Sequence, residues 1–318
     1  MLNFEKVFEF NDKSNDVLAI GEILVDMISE EYDDNFNTNT YRRYFGGSPS
    51  NIAMNVKKLG INSIVTSAVG NDGFGDFLID RLQKEEIDTS HIQRVDYATS
   101  MVLVTKSKAT PKPIFYREAD YHLEYNEKLS NAIKNSKIIH FSCWPITRTS
   151  SQAVIRQCIN EAKAHNVLVC FDPNYHIGLW PKGEDGLDQL KGIIKMVDIV
   201  KPSIEDAERI FGKRSVEEYI DEFLKLGVKL VIFTLGAEGA IVSNGKETIK
   251  FDTFATKVED TTGAGDAFWS GFYTAIVKGY PIKKAFEFGF AVSAYKLQYT
   301  GAVVDLPSLE KIKQIYNL

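Results

Sequence analysis

The sequence predicts an α/β fold built on a doubly wound, mostly parallel sheet flanked by helices. The first observation is a series of short apolar runs typical of buried strands, at 17–20, 64–69, 138–141, 167–171, 197–200 and 230–235. The second is that helical patterns lie between them, at 51–59, 74–85, 150–165, 204–211 and 215–226. Such alternation indicates βαβ units, in which helices cover both faces of a parallel sheet.

Two kinds of antiparallel segment interrupt this alternation, namely a hairpin and strand-like insertions. The turn Ser-Asn-Gly-Lys at 243–246 joins apolar runs at 240–243 and 248–251, and predicts a β-hairpin. Residues 31–45 and 96–118 contain further strand-like stretches, such as 100–106 and 113–117. These stretches predict either a small separate sheet or edge hairpins of the main sheet.

Composition narrows the class of protein. The chain has 318 residues with 44% hydrophobic and 25% charged residues, which is an ordinary globular balance. A formal net charge of −6 without a basic block predicts no nucleic-acid partner. Cys143, Cys158 and Cys170 show no CxxC spacing, so we expect buried free thiols. No apolar run has the length of a membrane span and the N-terminus lacks a signal-peptide pattern, so we expect a cytoplasmic protein without a membrane partner.

The stretch at 260–272, Asp-Thr-Thr-Gly-Ala-Gly-Asp-Ala-Phe-Trp-Ser-Gly-Phe, carries the strongest chemical signal. Apolar residues with helical spacing follow it, so its glycine turn lies at the N-terminus of a helix. The backbone N–H groups there have no helical acceptor, and the helix dipole is positive, so the turn predicts an anion site.

Asp266 follows this turn directly, where a bound anion would repel its carboxylate. An aspartate in that position indicates phosphoryl transfer, in which the carboxylate takes a proton from the attacking hydroxyl. Gly263, Ala264 and Gly265 would then stabilise the phosphate through their amides. The alternative is an ordinary loop-to-helix joint, in which an early aspartate simply favours the dipole.

The same stretch resembles the signature of the PfkB, or ribokinase-like, carbohydrate kinases, whose core Asp-Thr-Thr-Gly-Ala-Gly-Asp is complete at 260–266. The resemblance implies a ribokinase-like fold with a β-sheet lid formed by 31–45 and 96–118. The main kinase domain would then comprise 15–30, 46–95 and 119–318. It also implies ATP and Mg²⁺ as cofactors, a small sugar as substrate, and pairing of two copies through the lid.

Two early stretches are candidates for sugar contacts. Glu22 and Asp26 follow the first strand, at the edge where open α/β sheets bind ligands. A Gly-Gly pair that lets a ligand approach the backbone precedes Asn51, which offers both a donor and an acceptor. Surface carboxylates and a capped helix start are the alternative interpretations. The resemblance assigns to the sugar Asp26, Gly46, Gly47 and Asn51.

Two strand exits are candidates for the nucleotide side. They are Lys-Pro-Ser-Ile-Glu-Asp at 201–206 and Thr-Leu-Gly-Ala-Glu-Gly at 234–239, and each is also compatible with a plain strand-to-loop exit. By the resemblance, Ser203 and Asp206 replace the family's usual Asn-x-x-Glu, which organises magnesium and phosphates through water. The cofactor-binding residues are then predicted as Lys201, Ser203, Asp206, Thr234, Gly236 and Gly239.

The stretch at 171–180 is similar to the Asp-x-Asn-x-Arg…Leu-Trp stretch of fructokinases and 2-keto-3-deoxygluconate kinases, with His176 in place of the arginine. A neutral imidazole cannot clamp an acidic group as an arginine does. By the resemblance, Asp172 and Arg117 are predicted substrate contacts, with Arg117 as a compensating cation; the alternative for Arg117 is a solvated charge on a strand. The resemblance also implies a monovalent-cation site, for K⁺, formed by Asp260, Thr262 and Gly301.

These residues together predict an ATP-dependent kinase that phosphorylates a primary hydroxyl of a small sugar. The resemblance favours fructose, with 2-keto-3-deoxygluconate or a related deoxy keto-acid sugar as the alternative. A fold of this kind that binds sugar or nucleotide as a sensor, without turnover, is the alternative from another class. The chain has no Walker motif, and the glycine turn lacks the third glycine of a dinucleotide fingerprint.

Overall fold

The computed structural model describes residues 3–106 and 113–318. Its strands are β1 Asn15–Ile20, β2 Leu24–Tyr32, β3 Tyr41–Gly46, β4 Ser63–Gly70, β5 Ile92–Val95, β6 Met101–Lys106, β7 Ile114–Tyr116, β8 Ser136–Ser142, β9 Leu168–Asp172, β10 Ile199–Val200, β11 Leu230–Thr234, β12 Ala240–Ser243 and β13 Thr248–Phe251. Its α-helices are α1 Ser48–Lys58, α2 Gly73–Lys84, α3 Glu127–Lys134, α4 Thr149–Ala164, α5 Leu187–Ile194, α6 Ile204–Phe211, α7 Val216–Lys225, α8 Ala264–Val277, α9 Ile282–Lys296 and α10 Leu309–Tyr316.

A nine-stranded sheet forms the centre of the molecule, in the order β13-β12-β11-β10-β9-β8-β1-β4-β5. Its pairs are parallel from β11 to β5, and β12 and β13 add the antiparallel hairpin predicted around 243–246. Leu18 and Ile20 of β1 face the core under α3 to α7, whereas Val17 faces the core under α8 to α10. Buried residues thus cover both faces of β1, and the predicted doubly wound α/β fold is confirmed.

A separate four-stranded sheet has the order β3-β2-β6-β7. The prediction of a small separate sheet is therefore confirmed over edge hairpins of the main sheet. Its strand β2 already begins at Leu24, inside the stretch 15–30 that we assigned to the main domain, because residues 24–32 pair with β3 and β6 and not with β1. The division into domain and lid stays a prediction, and residues 107–112 of the predicted lid lie outside the described residues.

Local chemistry explains where several elements begin. Helix α1 starts at Ser48, earlier than predicted, because Pro49 occupies its first turn, where a missing N–H costs nothing. The run at 197–200 forms only a short strand, Ile199–Val200, and the backbone of Asp198 before it still hydrogen-bonds to Val169 and Leu230. Cys143, Cys158 and Cys170 are buried free thiols, as predicted.

Helices α8 and α9 pack directly against each other on one face of the main sheet. The rings of Phe272 and Phe286 stack with centroids 5.2 Å apart, and both are fully buried. The C-terminal end of α9 lies beside the turn that precedes α8, where Ser293 Oγ donates to the Ala264 carbonyl. Within the described part of the chain, no helix is both long and apolar enough to cross a membrane.

Candidate active site

Asp266 lies in the first turn of α8, where its buried carboxylate is held by two residues of α1. Ser48 Oγ donates to Asp266 Oδ1 at 2.6 Å, and Asn51 Nδ2 donates to Asp266 Oδ2 at 2.9 Å. The structure thus brings the predicted base into contact with Asn51, a predicted sugar residue. A carboxylate oxygen can accept more than one hydrogen bond, so both oxygens can still accept from a ligand.

The pKa of Asp266 is raised to about 6, chiefly because burial disfavours the charged carboxylate. The hydrogen bonds from Ser48 and Asn51 oppose this rise. At neutral pH the group is therefore mostly ionised yet more basic than an ordinary aspartate. That combination suits a general base, whose ideal pKa lies near the working pH.

The glycine turn before α8 has the geometry of a helix N-terminus. Gly263 is the N-cap residue with φ of 74°, and a Cβ atom there would lie 2.8 Å from the backbone of Ala302. Both facts require glycine at this position. Of the predicted anion-binding amides, that of Ala264 donates to the Thr261 carbonyl at 3.1 Å, which leaves Gly263 and Gly265 as the candidates.

Gly265 lies beside a buried ion pair. A Cβ atom at Gly265 would be 3.1 Å from Lys201 Nζ, and that ammonium is 2.8 Å from Asp172 Oδ2. Trp269 Nε1 also donates to Asp172 Oδ2, at 2.9 Å, whereas the buried Oδ1 has no hydrogen-bond partner among the described residues. Lys201 thus places a positive charge next to the anion-binding turn, with Asp172 fixed beside it.

The predicted sugar residues Asp26, Gly46 and Gly47 lie close together where β2, β3 and α1 meet. A Cβ atom at Gly46 would lie 2.2 Å from Asp26 Oδ2, and one at Gly47 would lie 2.4 Å from the carbonyl oxygen of Glu22. Only glycine allows these close approaches. Burial raises the pKa of Asp26 to about 6 and that of Glu22 to about 8, so Glu22 is mostly protonated at neutral pH. Asn51 Oδ1 is buried without a partner among the described residues, so it can accept from a ligand hydroxyl.

Arg117 lies in a closed network and not in an open position. Its guanidinium forms an ion pair with Asp120, and Nη1 donates to Thr147 Oγ1 at 2.5 Å. It also donates to the carbonyls of Leu179 and Trp144, each at 3.2 Å, and lies 4.4 Å from the Trp144 ring centroid. The sequence predicted that Arg117 would offer a positive charge to the substrate. In the structure this charge is already paired with the carboxylate of Asp120. His176 does not replace it, because its Nδ1 accepts the amide of Gly178 at 3.0 Å.

The two predicted nucleotide loops meet at one edge of the sheet. Ser203 and Thr234 form an isolated bridge, and Thr234 Oγ1 donates to the Pro202 carbonyl at 3.3 Å. Beyond Thr234 a short 3₁₀ helix spans Gly236–Glu238, and the carbonyl of Gly239 closes the loop by accepting the amide of Leu235 at 2.9 Å.

Asp206, which was predicted to organise magnesium through water, also caps a helix. Its Oδ2 accepts the amide and hydroxyl of Ser203 in a capping box at the start of α6, and its Oδ1 accepts the amide of Tyr175 at 2.7 Å. No group of three or more His, Cys, Asp or Glu that could hold a metal occurs in 3–106 or 113–318. A magnesium ion carried by nucleotide phosphates and water needs no such cage.

The predicted monovalent-cation residues lie together, and all three oxygens of Asp260 accept hydrogen bonds from the protein. Asp260 Oδ1 accepts the amide of Thr262 at 2.9 Å, and its Oδ2 accepts the amide of Gly301 at 2.7 Å. The Asp260 carbonyl accepts from Lys296 Nζ at 2.7 Å. These residues do not fit a potassium ion as they stand, because the Lys296 ammonium already binds the Asp260 carbonyl and would repel a second cation there.

Comparisons with known proteins agree with this geometry. Residues 14–309 match the model of the pfkB family carbohydrate kinases. The chain belongs to the pfkB family. It is 59% identical to the ATP-dependent 6-phosphofructokinase of Thermoanaerobacterium thermosaccharolyticum, over 100% of this chain and 99% of that protein.

Solved structures of other members have the same fold. The fructokinase of Halothermothrix orenii is 42% identical with a TM-score of 0.78, over 86% of this chain and 97% of that one. A double mutant of the Vibrio cholerae fructokinase, solved with fructose, ADP and a potassium ion, is 25% identical with a TM-score of 0.82, over 96% and 99% of the chains. The chain is thus a carbohydrate kinase, a phosphotransferase with an alcohol group as acceptor.

Three polar residues that the structure adds to this kinase site were not among the predicted site residues. Ser48 stands three residues before Asn51, so helical spacing places both on one face of α1, and that signal was available. Asp120 stands at i+3 from Arg117, which also favours a pair. Lys296 gave no such signal, because it reaches Asp260 only through the packing of α9 against α8.

Proposed function

We propose that this kinase transfers a phosphoryl group from ATP to a primary hydroxyl of a ketohexose, with fructose as the acceptor. The observation that carries the proposal is the buried Asp266 at the N-terminus of α8, held by Ser48 and Asn51. The hydroxyl approaches Asp266, which orients it and takes its proton as its oxygen bonds to the γ-phosphorus; the bond from that phosphorus to the β–γ bridging oxygen breaks, and ADP leaves with the electron pair. The amides of Gly263 and Gly265 and the ammonium of Lys201 stabilise the charge on the transferred group.

The sugar is proposed to bind between the lid sheet and α1. Asp26 and Asn51 Oδ1 are acceptors there for sugar hydroxyls, since neither is held by a hydrogen bond at the oxygen in question among the described residues. Gly46 and Gly47 keep the floor of this site free of side chains. ATP carries Mg²⁺ on its phosphates, where the ion neutralises their charge, and the loops around Lys201 and Thr234 receive the nucleotide.

Charge supports a neutral sugar over an acidic one. Lys201 and Arg117 are each paired with a buried carboxylate, and Asp26 and Asp266 add negative charge around the proposed sugar site. A sugar phosphate or a keto-acid sugar would bring further negative charge without a free partner from these cations. This arrangement disfavours 2-keto-3-deoxygluconate in particular, because Arg117 is engaged and His176 does not replace it.

Fructose 6-phosphate is the second candidate acceptor. It is favoured by the relative that is 59% identical over its whole length and is named a 6-phosphofructokinase. Both sugars present a primary hydroxyl, so the same role of Asp266 serves either. They differ in whether a distal phosphate must be bound.

A coupled assay of ADP formation separates these candidates. We expect kcat/KM for fructose to exceed that for fructose 6-phosphate and for 2-keto-3-deoxygluconate by at least about tenfold, the effect of one good polar contact. ¹³C NMR of the product checks that a primary carbon carries the phosphate. Asp266→Asn is the control, because it removes the base and keeps the shape.

Each other outcome has a definite meaning. A higher kcat/KM for fructose 6-phosphate replaces fructose as acceptor and contradicts the charge argument. Calorimetric binding of sugar or nucleotide without turnover of any acceptor supports the sensor alternative. Turnover by Asp266→Asn at the wild-type rate contradicts the proposed base.

We also propose a homodimer that forms through the lid. Four large hydrophobic residues on the lid strands are exposed, namely Tyr32, Tyr44, Ile114 and Tyr116. Exposed aromatic residues concentrated in one small sheet favour a protein contact over open solvent. Light scattering of the full chain, with Tyr116→Lys as the disrupting variant, measures the mass; a monomeric wild type contradicts this proposal.

A further inference from the structure

Lys296 is a fully buried lysine at the end of α9. Lysine is almost never buried completely unless a partner compensates its charge. Its ammonium donates to the backbone carbonyl of Asp260 at 2.7 Å. Asp260 is the first residue of the stretch that leads through the glycine turn to Asp266.

Negative groups around this ammonium account for its position. Burial lowers the pKa of Lys296, and the carboxylates of Asp260 and Asp266 oppose that change. In return, the charge of Lys296 helps to hold the pKa of Asp260 below its usual value, together with the amides of Gly301 and Thr262. The ammonium therefore interacts electrostatically with both ends of the catalytic stretch.

A second contact from α9 holds the same stretch. Ser293 Oγ donates to the carbonyl of Ala264 at 3.0 Å, one helical turn before Lys296. Two donors of α9 thus bind the carbonyls of Asp260 and Ala264, which bracket the N-cap residue Gly263. Fixing these two carbonyls fixes the direction of the amides at the turn.

We propose that the Lys296 ammonium is a built-in monovalent cation behind the catalytic turn, and that this kinase needs no potassium ion. The Vibrio cholerae fructokinase was solved with potassium. Here the Lys296 ammonium already binds the carbonyl oxygen of Asp260, the first residue predicted for such a site. An ammonium is a compact single positive charge that binds carbonyl oxygens, so it can supply the same field from a covalent attachment.

Lys296 acts as a positioning residue and not as a catalytic one. It contacts neither the proposed sugar site nor the anion-binding amides, and it acts through Asp260 and the turn. Its charge lies behind the N-terminus of α8 and adds to the positive potential there. This inference goes beyond the proposed function, because it concerns cation dependence and is independent of the identity of the sugar.

The first test is the melting temperature of the unliganded protein in potassium, sodium and tetramethylammonium chloride at equal ionic strength. For the wild type we expect the same melting temperature in all three salts. Lys296→Ala removes the charge and leaves space, so we expect a lower melting temperature that potassium or ammonium ions raise selectively. Lys284→Met is the matched control, since Lys284 lies on the same helix and pairs with Glu287 away from the turn.

The second test is turnover under the same salts. We expect wild-type kcat to change by less than about twofold among them, and Lys296→Met to lose about 10²-fold, the usual cost of a small displacement at a catalytic centre. Lys296→Ala should regain activity with potassium, ammonium or methylammonium ions. A purely structural lysine would not produce this selective rescue.

Several outcomes overturn the inference. They are a potassium-dependent melting temperature or rate in the wild type, wild-type turnover by Lys296→Met, and rescue of Lys296→Ala by tetramethylammonium as well as by potassium. If the variants do not fold, wild-type crystals soaked in rubidium chloride decide the question. An anomalous peak beside Asp260 in those crystals contradicts the inference, and a map without one supports it.

Discussion

Two regions of the active site hold their buried polar groups in different ways. They are the lid end, around Arg117 and Asp120, and the catalytic end, around Asn51, Asp172 and Asp266. At the lid end, Asp120 accepts from Ser100, Arg117 and Trp144, and the guanidinium of Arg117 is held on several sides. At the catalytic end, buried oxygens of Asp172 and Asn51 have no partner among the described residues. A buried polar atom without a hydrogen-bond partner costs free energy. A network in which every such atom is paired therefore indicates a structural role, whereas buried atoms left unpaired indicate where a ligand binds.

The largest expected effects come from removing the carboxylates of Asp266 and Asp26, which we assign to ligand binding and catalysis. We expect Asp266→Asn to lower kcat by about 10²–10⁴-fold with little change in KM, because general base catalysis typically contributes that much. Asp26→Asn should instead raise the KM for the sugar and leave kcat closer to wild type. Steady-state kinetics with fructose and ATP measure both variants.

The two variants control each other, since both remove a carboxylate whose pKa is about 6. Equal losses of kcat in both would contradict the separation into a base and a sugar contact. A loss confined to KM in Asp266→Asn would contradict its role in the chemical step.

Arg117 tests whether the hydrogen-bond network at the lid end has a structural role. We expect Arg117→Met to lower the free energy of unfolding by about 3–5 kcal/mol, because it leaves the buried Asp120 carboxylate without its cation. Arg42→Met is the control: its pair with Glu30 is exposed to solvent, so we expect no measurable change in the free energy of unfolding. Urea unfolding followed by circular dichroism measures both.

Arg117 also decides whether the lid network binds substrate. If Arg117→Met keeps its stability and raises the KM for the sugar instead, Arg117 is a substrate contact, as the sequence predicted. Arg117 would then belong to the substrate-binding site and not to a purely structural hydrogen-bond network.

The catalytic end was predictable from the sequence to a larger extent than the lid end. The Gly-Ala-Gly turn, Asp266 and the Gly-Gly pair before Asn51 belong to short local stretches whose backbone geometry their own residues determine. Helix starts and close backbone approaches are local properties, so these stretches predicted the elements that the structure contains. The hydrogen bond between Asn51 and Asp266 itself depends on the packing of α1 against α8.

The charge balance was not predictable in the same way. Arg117 looked like a free cation because sequence shows its charge but not its burial beside Asp120. Asp260 looked like a cation ligand because sequence does not show that Lys296, 36 residues further on, reaches its carbonyl. Whether a charge is available to a ligand depends on tertiary packing, and this is where the sequence-based predictions and the structure differ.

The smallest expected effect concerns the hydroxyl of Ser48. It donates to the charged form of Asp266 and so holds its pKa down. Ser48→Ala should therefore raise that pKa further above about 6, because the charged carboxylate loses a hydrogen bond that stabilises it. Because the base must be deprotonated, kcat/KM of the variant should fall at pH 6 to 7 and recover towards pH 8.5.

The pH profile of kcat/KM measures this shift as a displacement of its acid limb to higher pH. Ser50→Ala is the matched control, because Ser50 lies on the same helix but donates to the carbonyl of Gly47 at 2.8 Å. An acid limb that stays in place in Ser48→Ala would mean that Asp266 does not govern it. In that case Asp26, whose pKa is also about 6, becomes the group to test, and Asp26→Asn should move the limb instead.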